Sequence, residues 1–188
     1  ISATAESASI NVNAVDAALI TLTPLSQTVA NNDPVSVEVG VDGVVGLFAI
    51  SVTLSFNNSI IKCTNITQGN FLAGNSGGYN VFFETFPEDL YSANTVIVDQ
   101  SILGLATVSG TGNLFTITFQ PFAGGTSQVK VTSFSLRDIN NQVIPALADS
   151  AEIIVSSSVV NTKIFLQGPY SAGTMSTNLN SSGYLPLA

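Results

Sequence analysis

The chain contains no histidine and no tryptophan, and it has one cysteine and one methionine. Without histidine there is no Ser-His or Cys-His pair to activate a nucleophile, and the commonest transition-metal ligand is missing. Cys63 has no partner in the sequence, so no intrachain disulfide forms. Within the strand-like run 60–64 it reads as a small buried side chain. Cations are scarce: Lys62, Lys130, Arg137 and Lys163 stand against twelve acidic residues, for a net charge of −8. Duplex binding needs clustered Lys and Arg to displace condensed counterions, and an anionic membrane surface makes the same demand. Four scattered cations meet neither, which excludes nucleic acid as a partner. No stretch approaches the about 18 uninterrupted apolar residues of a membrane span, so no membrane insertion is expected. The glycines of 74–78 are followed by no Lys-Ser/Thr pair and no helical pattern, which removes a phosphate-cradling loop.

What is present is apolar and uncharged. Of 188 residues, 45% are hydrophobic and only 9% charged, against about a quarter charged in typical soluble domains. A core of ordinary size can be buried, and the surface must be built from Ser, Thr, Asn, Gln and Gly. Such a surface tolerates changes in salt and pH and packs against other subunits with little charge desolvation. It predicts an extracellular or cell-surface location. The sequence begins at Ile1 rather than Met and reads as a mature or trimmed portion of something longer.

Hydrophobicity alternates with period two along most of the chain, the mark of half-buried strands. Val35, Val37, Val39 and Val41 alternate with Ser36, Glu38 and Gly40. Phe48, Ile50, Val52, Leu54 and Phe56 alternate with Ala49, Ser51, Thr53 and Ser55. Further strands are predicted at 19–23, 60–67, 79–86, 95–100, 114–119, 128–136 and 143–155, the last interrupted by Pro145. Asn, Gly and Asp punctuate the intervals. Only 101–108 or 88–91 is suited to a short helix. About nine short strands at this spacing predict an all-β fold, a jelly-roll β-sandwich.

Three parts are expected: an N-terminal extension at 1–17, the sandwich at 18–156, and a linker with a C-terminal segment at 157–188. In the extension, Ala8, Ile10, Val12 and Ala14 alternate with Ser7, Ser9, Asn11 and Asn13. This is either an added edge strand or a strand donated to a neighbouring subunit. The C-terminal part opens with Ser156-Ser157-Ser158, continues strand-like over 159–166 and is then broken by Gly168-Pro169, Gly173 and Gly183. It packs on the sandwich, pairs with another chain or opens a further domain.

Four stretches of the core resemble the cohesin family over roughly 18–155. Residues 35–41 with Gly43 and Gly46-Leu47-Phe48-Ala49-Ile50 resemble its opening strands. Residues 54–61 resemble its Asp-Pro turn, with Asn57-Asn58 in place of Asp-Pro. Residues 112–119 are similar to its late core strand, and 136–145 to its final hairpin. The resemblance implies a non-catalytic sandwich, since cohesins bind dockerin modules through one sheet face; it assigns no contact residues here. The tail, with Lys163-Ile164-Phe165-Leu166-Gln167-Gly168-Pro169-Tyr170, resembles a segment of large secreted Bacteroidetes-type surface proteins.

Glycosidases need two carboxylates across a cleft, and Glu84, Glu88, Asp89 and Asp99 are the available cluster. Asp138-Ile139-Asn140 resembles the start of a calcium loop, but Val143 replaces the glycine such a loop needs; Glu88, Asp89, Asp138 and Asn140 are the weak calcium candidates. Asn57, Asn65 and Asn180 head Asn-X-Ser/Thr sequons. Tyr79, Phe82, Phe83 and Phe86 crowd together, with Phe82 and Phe86 on one face and Phe83 on the other; core packing is expected for most of them. The functional expectation is a non-catalytic interaction or structural module of a secreted assembly, needing no cofactor. Its partner is a protein module or identical subunits. The first alternative is a filament subunit joined by strand donation through 7–14, and the second is a carbohydrate-binding module.

Overall fold

The computed structural model describes residues 17–157. Ala8, Ile10, Val12 and Ala14 of the expected edge or donated strand, the sequon at Asn180 and the segment 158–188 lie outside the described residues.

Eleven strands and one short helix follow one another along the described chain: β1 (Ala18–Thr23), β2 (Ser26–Ala30), β3 (Val35–Leu47), β4 (Ala49–Ser55), β5 (Ile61–Gln68), α1 (Asn70–Ala73), β6 (Val81–Phe86), β7 (Thr95–Ile102), β8 (Val108–Pro121), β9 (Gly125–Arg137), β10 (Ala146–Ala148) and β11 (Ser150–Ser156). They form two sheets, a five-stranded one in the order β10-β1-β3-β8-β5 and a six-stranded one in the order β2-β11-β9-β4-β7-β6. The expected all-β sandwich is therefore the fold.

Alternation explains the packing. On β3 the valines at 35, 37, 39 and 41 are all buried, as are Ile50, Val52 and Leu54 on β4 and Val96, Val98 and Ile102 on β7. The inner faces meet in one core, where Phe56 and Phe119 pack edge to face at 5.0 Å. Cys63 lies fully buried in that core, and burial pushes its thiol pKa up to about 12. Gln100 is buried between the sheets, and its Nε2 donates to the Leu114 carbonyl across the gap at 2.8 Å.

Two features tie the sheets together. β1 runs parallel to β10 in one sheet, and their continuations β2 and β11 run parallel in the other. Both pairs cross between sheets side by side, held where Asp149 N–H donates to Ile20 O and Glu152 N–H to Leu25 O. The second feature is the long β3–β8 ribbon, which bends through register shifts at Val41/Val44 and Val44/Leu47. Gly43 and Gly46 take φ of 67° and 70° there, a region open to glycine at little cost. Their amides are satisfied by the hydroxyls of Thr111 and Ser109. Phe48 then delivers the chain into the six-stranded sheet, with its N–H donating to Arg137 O and its O accepting from Ile102 N–H. This is how β4 comes to lie at the middle of that sheet.

The two predicted helical stretches are not helical. Residues 88–91 form a turn before β7, and 101–108 divide between the end of β7, a bend and the start of β8. The single helix among the described residues is α1, one turn that buries Phe71 and Leu72 over the end of the sandwich.

Candidate functional site

The outer face of the six-stranded sheet is built from the residues that alternate with the core. On β4 these are Ala49, Ser51, Thr53 and Ser55, each half-buried between strands on either side. Pairing with β9 sets Ser51 opposite Ser135 and Thr53 opposite Ser133. Pairing with β7 sets Ser51 opposite Asp99 and Thr53 opposite Ile97. β6 closes the sheet, with Glu84 opposite Asp99, Phe86 opposite Ile97 and Phe82 opposite Ser101. Three rows thus cross the face: Phe82, Ser101, Ala49, Arg137; Glu84, Asp99, Ser51, Ser135; and Phe86, Ile97, Thr53, Ser133.

The centre of this face consists of short hydroxyl side chains, which leave a partner's backbone or side chains room to approach closely. The β6–β7 margin is different. Phe82 is 42% exposed, Phe86 41%, Ile97 36% and Leu103, just past β7, 61%. The opposite margin carries a cation: Arg137 reaches back to donate from Nε to Ser135 Oγ at 2.9 Å and from Nη1 to Asn141 O at 3.0 Å.

The aromatic cluster resolves accordingly. Phe83 turns inward and packs against the core, whereas Phe82, Phe86 and Tyr79 are exposed. The expected division of faces is correct, and the expectation of core packing holds for Phe83 alone. Alternation separates two faces but does not say which is inside when both carry large apolar groups.

The carboxylates do not converge. Glu84 and Asp99 face each other on an open sheet surface, with no cleft to hold a sugar ring between them. Glu88 and Asp89 lie in the loop beyond β6. The Asp89 carboxyl is held below the usual carboxylate range, first by the Ser92 hydroxyl and then by the Ser92 N–H. Asp138 lies past the end of β9 that adjoins Ala49, Ser101 and Phe82, the opposite end of the sheet from Glu88 and Asp89. Its Oδ1 accepts the N–H groups of Asn140 at 2.9 Å and Gln142 at 2.7 Å, closing its own turn. The calcium candidates are therefore not brought together, and among the described residues no group of three or more His, Cys, Asp and Glu side chains is placed to hold a metal. Asn57 and Asn65 are both exposed; Asn57 Oδ1 accepts the Ser59 N–H within its turn.

A second surface feature was not anticipated. Beside the short edge strand β10, a groove of about 630 Å³ is lined mainly by apolar residues, among them Ala17, Phe134, Val143 and Leu147, together with Ser135 and Arg137. A bulge in β9 between its partners for Thr53 and Leu54 shifts the alternation so that Phe134 faces this opening. No helix among the described residues is long and apolar enough to cross a membrane.

No protein-family model matches the chain, and a search of curated proteins finds no relative. Solved structures do match. A non-cellulosomal cohesin from the hyperthermophilic archaeon Archaeoglobus fulgidus superposes with a TM-score of 0.61 at 16% identity, covering 75% of this chain and 92% of the other. The sixth cohesin of scaffoldin B from Acetivibrio cellulolyticus, in complex with a dockerin, gives 0.60 at 13% identity, covering 74% and 99%. A cohesin from a type I cohesin–dockerin complex of Clostridium thermocellum gives 0.58 at 15% identity, covering 75% and 100%. The chain thus has a cohesin-like β-sandwich fold.

Proposed function

We propose that this cohesin-like sandwich is a non-catalytic protein-binding module of an extracellular or cell-surface assembly, and that it binds through the outer face of its six-stranded sheet. The observation that carries this reading is the make-up of that face: strands β9, β4, β7 and β6 present hydroxyls at the centre and exposed Phe82, Phe86, Ile97 and Leu103 along one margin. An uncharged centre is cheap to desolvate, and exposed aromatics at its border are the kind of group that anchors protein interfaces. Similar folds crystallised with dockerins lend the reading support.

The test is a charge placed at the centre. Thr53→Arg leaves the core untouched and sets a long cation in the middle of the face. Captured from the producing organism's secreted fraction and then purified, the partner should bind this variant at least about tenfold more weakly than wild type, a loss of about 1.4 kcal/mol. Thr67→Arg, on the exposed side of β5 in the other sheet, should bind as wild type. Equal binding of wild type and Thr53→Arg would remove the face from consideration.

A second reading is supported by the groove beside β10. Ala17, the residue to which the N-terminal extension is joined, lies on its wall. An apolar strand such as 7–14 from an identical subunit is a suitable occupant, making the protein a self-assembling filament subunit.

A further inference from the structure

The β6–β7 margin carries a feature that folding alone does not explain. Glu84 and Asp99 are direct cross-strand partners on the exposed face. Like charges placed directly opposite one another weaken a strand pair. The neighbouring positions offer no relief. Asp99's other partner is Ser51, and beyond it lies Ser135. The cations of the described chain are engaged or distant. Lys62 Nζ sits over the rings of Tyr91 and Phe122, at 5.5 and 5.2 Å. Arg137 is held by Ser135 and Asn141. Lys130 is paired with Ser55, four residues and about 13 Å along β4 from the Ser51 row. The Asp99 Oδ1 atom is itself buried against its neighbours and accepts no hydrogen bond.

Around this pair stand exposed apolar side chains, with Leu103 further along the same margin. Phe82 and Phe86 lie two positions to either side of Glu84 on the same face of β6, Ile97 is two positions from Asp99 on β7, and Leu103 follows β7. Two uncompensated carboxylates inside an apolar border make a socket for a cation that arrives with apolar neighbours. The border would exclude water once covered, and the ring faces attract a cation as well. The far side of the face carries Arg137 at the end of β9, whereas Lys130, further along β9, is flanked by Ser150 of β11, two positions from Glu152; the face is thus negative at β6–β7 and positive at Arg137.

We propose that the β6–β7 margin is the anchor point of the binding face and recognises a partner segment bearing a lysine or arginine flanked by apolar side chains, seated over Glu84 and Asp99 between Phe82 and Phe86. The electrostatic polarity of the face sets the direction in which the segment lies. This proposal rests on the face reading above.

The test uses an unbiased displayed-peptide library panned against the protein. Peptides with a basic residue between apolar ones should be enriched. Their affinity should fall at least about tenfold on Glu84→Gln combined with Asp99→Asn, and should weaken as salt rises. The same double variant, free of partner, should melt at or above the wild-type temperature, because the repulsion has been removed. Enrichment of acidic or neutral peptides, no enrichment, or binding unchanged in the double variant would overturn the proposal, as would a lower melting temperature, which would make the pair structural. The two readings fail differently. Peptides lost with Thr53→Arg but kept by the double variant leave the face standing without its anchor. Peptides insensitive to Thr53→Arg refute the face itself.

Discussion

A thiol held in the interior changes what the protein tolerates at high pH. Cys63 is fully buried on β5, and desolvation raises its pKa from 9.0 to about 12, a backbone hydrogen bond at Asn65 only partly opposing the shift. The sign of the consequence follows from linkage. Below pH 9 the thiol is protonated folded or unfolded and its titration leaves stability alone. Between pH 9 and 12 the unfolded chain releases the proton while the folded chain keeps it, so stability falls as pH rises. Denaturant midpoints measured from pH 8 to 11 should decline more steeply for wild type than for Cys63→Ala, and Cys63 should resist alkylation at pH 8 until the protein is unfolded. Parallel slopes for the two proteins would show that the thiol ionises freely in the folded state. The burial of Cys63 was legible from its strand-like setting. The pairing of Glu84 with Asp99 was not, because a cross-strand partner is fixed by register between β6 and β7, and two separate alternating runs do not state their register.

At the scale of elements, the close approach of backbones decides where glycine stands. Gly69 joins β5 to α1, and its N–H donates to Leu114 O at 2.8 Å. A Cβ there would come 2.3 Å from Asn113 O and 2.7 Å from Asn113 C, main-chain atoms with nowhere to move. Gly69→Ala should therefore cost about 1–3 kcal/mol, seen as a lower urea midpoint at an unchanged m-value; a midpoint equal to wild type would mean that the β5–α1 connection yields easily. The glycines also show why some elements escaped a sequence reading. Gly43 and Gly46 look like turn residues, yet they serve as bends inside β3, which continues to Leu47. β2 has no buried position, since it lies at a sheet edge, and so it carries no strong alternation. α1 is a single turn, too short to show a helical period. The central strands were legible because they are half-buried along their whole length, as the burial of Ile50, Val52 and Leu54 between exposed or half-exposed neighbours shows.

For the whole molecule, the question is what covers the open side of the sandwich. The five-stranded sheet ends at β10, which is three residues long, and beside it the groove exposes Phe134, Val143 and Leu147. A sheet edge with unpaired N–H and C=O groups next to a largely apolar groove invites another strand. The sequence preceding Ala17 has the alternation such a strand needs, Ala8, Ile10, Val12 and Ala14 alternating with polar residues. Supplied by the same chain, the strand yields a monomer; supplied by a neighbour, it yields a polymer. Light scattering on the chain with and without residues 1–16 separates these outcomes. If strand donation operates, the full chain forms large assemblies and the shortened chain is monomeric. Ile10→Asp and Val12→Asp should then also abolish assembly while leaving the fold intact, because a carboxylate at either position would be buried without a partner. If both lengths are monomeric, the extension serves its own sandwich or none, the filament reading is lost, and the outer face of the six-stranded sheet remains the proposed binding surface.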